Sequence, residues 1–342
     1  MRIVHLAQVA TTFHSHYRKQ KMTTAAQLNM QFGIHDQLFF REDTPVKGTP
    51  PDTRPAGGLG AASGLIIAEI NNQQASASLC LQGAHLMTWK PNNQTVPVIW
   101  LSRDAKLAAG KSIRGGVPVC WPWFGAHESN TTFPGHGYAR TVPWQVVESS
   151  TEINGATRLT LRLVTSEKIH AQWPHHCTLE LTVIVGATLR MEMTTTNNSA
   201  EDFIIGEALH TYFQISDIGA VQVIGLEGCE YWDKVGGSVL KKQAGAIQFT
   251  NETDRVYINT AATCIIEDKK LNRRIHIAKS GSNATVVWTP WTEKANKMGD
   301  MGQPDGWREM LCVESANAIE NVVTVKAGAR HTLIVEYRAE GI

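Results

Sequence analysis

A chain of 342 residues, 42% hydrophobic and 18% charged, has enough apolar material for one large or two ordinary packed cores, and disorder over most of its length is excluded. The formal net charge of +1 gives no long-range field to attract a nucleic acid or an anionic membrane, so neither partner is expected and any anion site has to be local. The six cysteines are widely spaced, without a CxxC pair, and read as reduced and mostly buried; no run approaches the roughly 18–20 apolar residues that cross a bilayer.

The first 60 residues stand apart. They carry no acid before Asp36, hold Arg2, Arg18, Lys19 and Lys21, and end in the Pro/Gly-rich stretch from Gly48 to Gly58. Such a start suits a targeting peptide, but no uncharged core with a small-residue cleavage site follows. The segment is therefore taken as an N-terminal extension, residues 1–60, or an early start with Met22 as the true beginning. A short helix is expected at Ala25–Phe32, and a single domain over 61–342.

The next informative segment, Ser112–Gly125, reads SIRGGVPVCWPWFG. Its paired glycines allow a tight turn or a close approach to a ligand, and Trp121, Trp123 and Phe124 have flat faces suited to the C–H side of a sugar ring. The same aromatics could equally fill a core. Arg114 and Arg140 sit in Gly-containing loops, and a guanidinium is well shaped to hold phosphate oxygens. In Gly135-His136-Gly137 the flanking glycines free the imidazole for a ligand contact, although a lone His in such a loop is more often a hydrogen-bonded structural residue.

Beyond residue 150 the periodicity is close to two. Leu159, Leu161 and Leu163, then Leu179, Leu181 and Val183, and later Leu333, Val335 and Tyr337 alternate with residues that are mostly polar, the pattern of half-buried strands. Similar runs at 220–226, 263–267, 274–278 and 284–288 are separated by turn-forming clusters, and one further short helix is expected at Ser166–Trp173. Many strands with few helices predict an all-β fold of antiparallel sheets packed face to face. No internal repeat, G-x-G-x-x-G or Walker motif is present.

His210 and Glu314 each lie at or near the end of a short apolar run, where burial tunes a pKa toward proton transfer. Taken alone, His210 is a core histidine as readily as an acid. A carboxylate in an apolar run such as that of Glu314 is rarely buried without partners. Asp254 reads first as a turn residue. Histidines 85, 136 and 210 with Glu314 lack any H-x-H or H-E-x-x-H spacing, so no metal is expected.

In order, RGGVPVCWPWFG, HGYAR, LHTYF, ETDRVY, MGDM and CVES resemble the glucose-6-phosphate 1-epimerase group, the hexose-6-phosphate mutarotases, within the aldose 1-epimerase family. The resemblance runs from about Ala62 to Tyr337. It implies a galactose-mutarotase-like antiparallel β-sandwich (supersandwich) and an isomerase that interconverts α and β anomers of hexose 6-phosphates without metal or organic cofactor. It further implies Glu314 as general base and His210 as general acid, with Arg114, His136, Arg140 and Asp254 as substrate contacts. The expected partner is a small hexose 6-phosphate, and the expected setting a cytoplasmic monomer. Thr289, Gly135 and Ser315-Ala316 depart from the group's pattern and are expected at the pocket rim. An epimerase of free hexoses and a non-catalytic carbohydrate-binding protein of the same fold are the alternatives.

Overall fold

A computed structural model describes residues 24–43, 64–164 and 171–342. The alternating leucines lie on the strands Thr157–Leu163 and Cys177–Val185, and the C-terminal run on Arg330–Glu340; in each, the apolar members of the alternation are buried. These strands belong to a nine-stranded sheet in the order Ile247–Gln248, Val221–Ile224, Cys264–Asp268, Arg273–Ser280, Arg330–Glu340, Thr188–Asn197, Cys177–Val185, Thr157–Leu163, Trp144–Thr151.

An eight-stranded sheet runs Val239–Lys242, Glu230–Asp233, Thr253–Tyr257, Ala284–Thr289, Met310–Asn317, Glu207–Leu209, Val119–Cys120, and Tyr212–Gln214 also pairs with Met310–Asn317. A four-stranded sheet joins Leu38–Glu42, Ile66–Asn71, Ala75–Cys80 and His85–Pro91. The paired strands are antiparallel throughout the three sheets, and the architecture is that of a β-sandwich.

The two large sheets meet through specific contacts as well as apolar packing. The Thr211 hydroxyl lies 2.6 Å from the Tyr337 hydroxyl, Phe213 meets Tyr337 edge-on at 5.2 Å, and Trp121 Nε1 donates to Thr195 Oγ1 at 3.0 Å. Buried Glu207 accepts from Asn317 Nδ2 and contacts His331 Nε2, each at 2.8 Å. Thr211 and Phe213 thus face the nine-stranded sheet. Alternation turns His210 and Tyr212 to the opposite face of their own sheet.

Part of the segment taken as an extension packs on the sandwich. Thr24 caps the helix Ala25–Phe32 in a reciprocal capping box with Gln27, and Leu38–Glu42 forms the edge of the four-stranded sheet. Burial of Leu28, Leu38 and Phe40 favours this docking by about 1.5–3 kcal/mol per side chain. Asn29 fixes the register by exchanging two 2.7 Å hydrogen bonds with the backbone of Phe40. The helix expected at Ser166–Trp173 falls mostly outside the described residues. An unexpected helix spans Trp291–Met298, ended by Gly299 in the left-handed conformation.

Candidate active site

Strand register brings the chemistry together. Leu209 pairs with Ser315 and Tyr212 with Cys312, so the same register sets His210 opposite Glu314. Cys312 also pairs with Trp288, and Trp288 with Asp254. Asp254, Trp288, Cys312 and Tyr212 therefore form one row across the sheet, with Glu314 and His210 in the next row of the same face. His210 Nε2 lies 3.2 Å from Glu314 Oε1, and the carboxylate is 1% exposed against 12% for the imidazole. Among the described residues, buried Glu314 Oε2 and His210 Nδ1 have no hydrogen-bond partner.

Both groups are driven toward neutrality. Burial, then the charge of Asp254, pushes the Glu314 carboxyl well above its ordinary 4.5, with Arg140 opposing. Burial, then the neighbouring His136 ring and the charges of Arg140 and Arg114, disfavours protonation and holds the His210 imidazole well below its ordinary 6.5. One proton on the line between Nε2 and Oε1 satisfies the pair at no net charge.

The RGG segment runs beside the His210 strand. Its Pro118 carbonyl accepts from His210 N–H, and its Gly116 carbonyl from Tyr212 N–H, both at 3.0 Å. Gly116 has φ +67°, and a Cβ there would lie 2.4 Å from Leu86 O and from His85 Nε2. The glycine thus serves a close approach of the chain to itself rather than to a ligand. His85 is buried, with Nε2 bonded to the Gly115 carbonyl at 2.9 Å, and acts structurally.

Arg114 is already engaged. Nε pairs with Asp300 Oδ1 and Nη1 donates to the Tyr212 hydroxyl, both at 3.0 Å, and the Tyr212 ring stacks on His210 at 5.0 Å and 12°. Asp300 of the MGDM segment thereby connects through Arg114 and Tyr212 to the His210 ring.

His136 adopts φ +63°, which turns its ring toward His210 at 5.9 Å and onto Phe124 at 4.8 Å. Burial, reinforced by Arg140, lowers its pKa to about 4. Nδ1 accepts the Gly125 N–H at 3.3 Å, so the proton of the neutral ring sits on Nε2 as a donor. Arg140 Nη2 donates to the Gly135 carbonyl at 2.8 Å. Asp254 is half-buried, its carboxyl raised by burial against the pull of Lys294, whose Nζ stands 4.0 Å away.

All six residues singled out from the sequence thus gather around one face of the eight-stranded sheet. The aromatics, equally suited to core and ligand contact, divide: Trp121 is a core side chain, hydrogen-bonded across the sandwich, and Trp123 and Phe124 are only partly buried. Other expectations need correction. Thr289 and Ser315 are buried and lie at strand positions of opposite parity to Trp288 and Glu314, so they face away from the site rather than line its rim. Tyr212, Trp288, Asp300 and Cys312 escaped sequence reasoning, although Tyr212 and Cys312 each stand two residues from a residue that was chosen. The expectation of no metal rested on histidine spacing and did not consider Cys312, which folding carries beside the His–Glu pair.

An antiparallel β-sandwich carries on one sheet a buried His–Glu pair with Arg114, Arg140, His136 and Asp254 around it, groups able to exchange protons with a polar small molecule. The aldose 1-epimerase family pattern matches residues 67–338, and the chain belongs to that family. Its general activity is that of an aldose or hexose-phosphate epimerase, a mutarotase. A protein of Escherichia coli K12 named "Putative glucose-6-phosphate 1-epimerase" is 38% identical over 263 residues, covering 77% of this chain and 86% of its own. A protein of the same name from Cenchrus ciliaris is 33% identical over 261 residues, covering 74% and 78%. The solved YeaD structure from Salmonella typhimurium superposes with a TM-score of 0.76 at 34% identity, covering 81% of this chain and 91% of that one.

Proposed function

We propose that the protein is a hexose-6-phosphate 1-epimerase in which Glu314 and His210 exchange one proton with the sugar. The observation that carries this reading is the buried 3.2 Å contact between Glu314 Oε1 and His210 Nε2. With a pyranose in place, the ionic form of the pair is the reactive one: carboxylate takes the C1 hydroxyl proton while imidazolium protonates the ring oxygen. The C1–O5 bond breaks, leaving an open-chain aldehyde, protonated Glu314 and neutral His210. Rotation about C1–C2 and reversal of both transfers give the other anomer. The pair holds one proton before ring opening and, after it, still one, so the cycle needs none from solvent. Each positioned group contributes about 10²–10⁴-fold, ample for a reaction that already proceeds slowly in water.

For the substrate, Arg140 is the better phosphate contact, because Arg114 spends Nε and Nη1 on Asp300 and Tyr212. The remaining Arg114 N–H groups, the His136 Nε2 proton and the Asp254 carboxylate suit the phosphate oxygens and sugar hydroxyls. That engagement of Arg114 also favours a second reading, an epimerase of free hexoses. Exchange NMR on glucose 6-phosphate and on glucose separates the two. The phosphate reading expects faster exchange of the phosphate ester, and a KM raised about 10- to 150-fold in Arg140→Ala through loss of charge-assisted hydrogen bonds. Equal turnover of both sugars, unchanged in that variant, supports the free-sugar reading instead.

A further inference from the structure

The acid–base pair has a third neighbour that proton transfer does not use. Cys312 precedes Glu314 by two residues on the strand Met310–Asn317, so both side chains emerge on one face. Ligand atoms of His210, Cys312 and Glu314 all lie within 4.8 Å of one another, with Nε2 and Oε1 at 3.2 Å. Bonds of about 2.0 Å to nitrogen or oxygen and about 2.3 Å to sulfur place tetrahedral zinc ligands roughly 3.3–3.8 Å apart. The His–Glu edge is therefore already at tetrahedral length, and both edges to sulfur lie within 4.8 Å.

An independent observation points to a ligand. Glu314 Oε2, on a side chain 1% exposed, is buried with no hydrogen-bond partner among the described residues. Buried polar atoms are nearly always satisfied, and a cation would satisfy the carboxylate directly. The donor set of imidazole, thiolate and carboxylate suits a borderline-soft divalent ion and leaves a fourth position toward the open side, where His210 keeps its 12% exposure.

We propose that His210, Cys312 and Glu314 form an inhibitory site for a divalent cation of the zinc and cobalt class. Binding releases the Cys312 thiol proton and the proton held between Glu314 and His210. The two negative charges of thiolate and carboxylate balance the +2 of the ion, so the buried site stays neutral. Arg114 and Arg140 oppose the cation and Asp254 offsets them, which limits affinity. Occupation removes base and acid together and blocks sugar entry. This consequence rests on the proposed epimerase reading, whereas the binding itself does not.

The test begins with titration of the full chain with cobalt(II). One equivalent should develop a sulfur-to-cobalt charge-transfer band, bleached by zinc(II), and Cys312→Ser should lack it. Glu314→Gln, which keeps the sulfur, should show the band with cobalt binding at least tenfold weaker. In anomer exchange, zinc should inhibit the unaltered protein reversibly with EDTA, and Cys312→Ser should need at least tenfold more zinc relative to its own metal-free rate. Absence of the band, its persistence in Cys312→Ser, or equal cobalt affinity in Glu314→Gln overturns the site. Zinc inhibition that develops without the band overturns it as well. If no exchange activity is found, the epimerase reading fails while the cobalt titration still decides the site.

Discussion

Replacing Glu314 by Gln should move activity and stability in opposite directions. Gln keeps the shape of the side chain and its 3.2 Å approach to His210 but cannot accept the anomeric proton. Losing one general base costs about 10²–10⁴ in rate, equivalent to about 2.7–5.4 kcal/mol of transition-state stabilisation. For stability the sign follows from burial, which raises the folded carboxyl above its ordinary 4.5. Between that value and the raised one, the native protein retains a proton that the unfolded chain has released, so native stability falls as pH rises. Gln has no such dependence. Its advantage should be negligible near pH 4 and grow through neutral pH toward about 0.5–2 kcal/mol, the usual gain when a functional group is traded for stability. Exchange NMR gives the rate and urea unfolding from pH 4 to 8 gives the stability. A variant of normal rate, or one that becomes less stable than the parent as pH rises, would refute the reasoning.

Two further outcomes concern residues outside the acid–base pair. Tyr212→Leu removes the ring stacked on His210 and should lower kcat about 2- to 10-fold, the worth of an aromatic contact, whereas Tyr212→Phe keeps the stack and should chiefly raise KM by freeing Arg114; the two variants behaving alike would contradict a positioning role. His331 is pushed down by burial but raised overall by its hydrogen bond to and the charge of Glu207. Its contribution to stability should be complete below the ordinary 6.5 and lost as pH rises through the raised value, flattening in His331→Gln when unfolding is followed from pH 5.5 to 8.5.

The strands were readable where one face packs and the other is wetted, as at Leu159–Leu163 and Leu333–Tyr337. Met310–Asn317 does not alternate because both faces are covered, so its sequence shows an apolar run but not which side Glu314 takes. Register decides that, and register comes from pairing partners distant in sequence. The helix Trp291–Met298 did leave a trace, since Trp291, Ala295 and Met298 recur at helical spacing, but the flanking Val287–Pro290 run reads as strand. That six residues chosen through motifs gather around one sheet face was legible, whereas their roles rest on the proposed function. What could not be read was that Arg114 is committed to Asp300 and Tyr212, because that depends on a loop 186 residues further along the chain.

The most direct test of a shared proton is a double-mutant cycle on the exchange rate of glucose 6-phosphate, using Glu314→Gln, His210→Ala and the combination. If the two residues act as one unit, each single variant loses about 10²-fold or more and the double variant is little slower than the worse single. A single variant of normal rate, or losses that multiply in the double, would contradict the account.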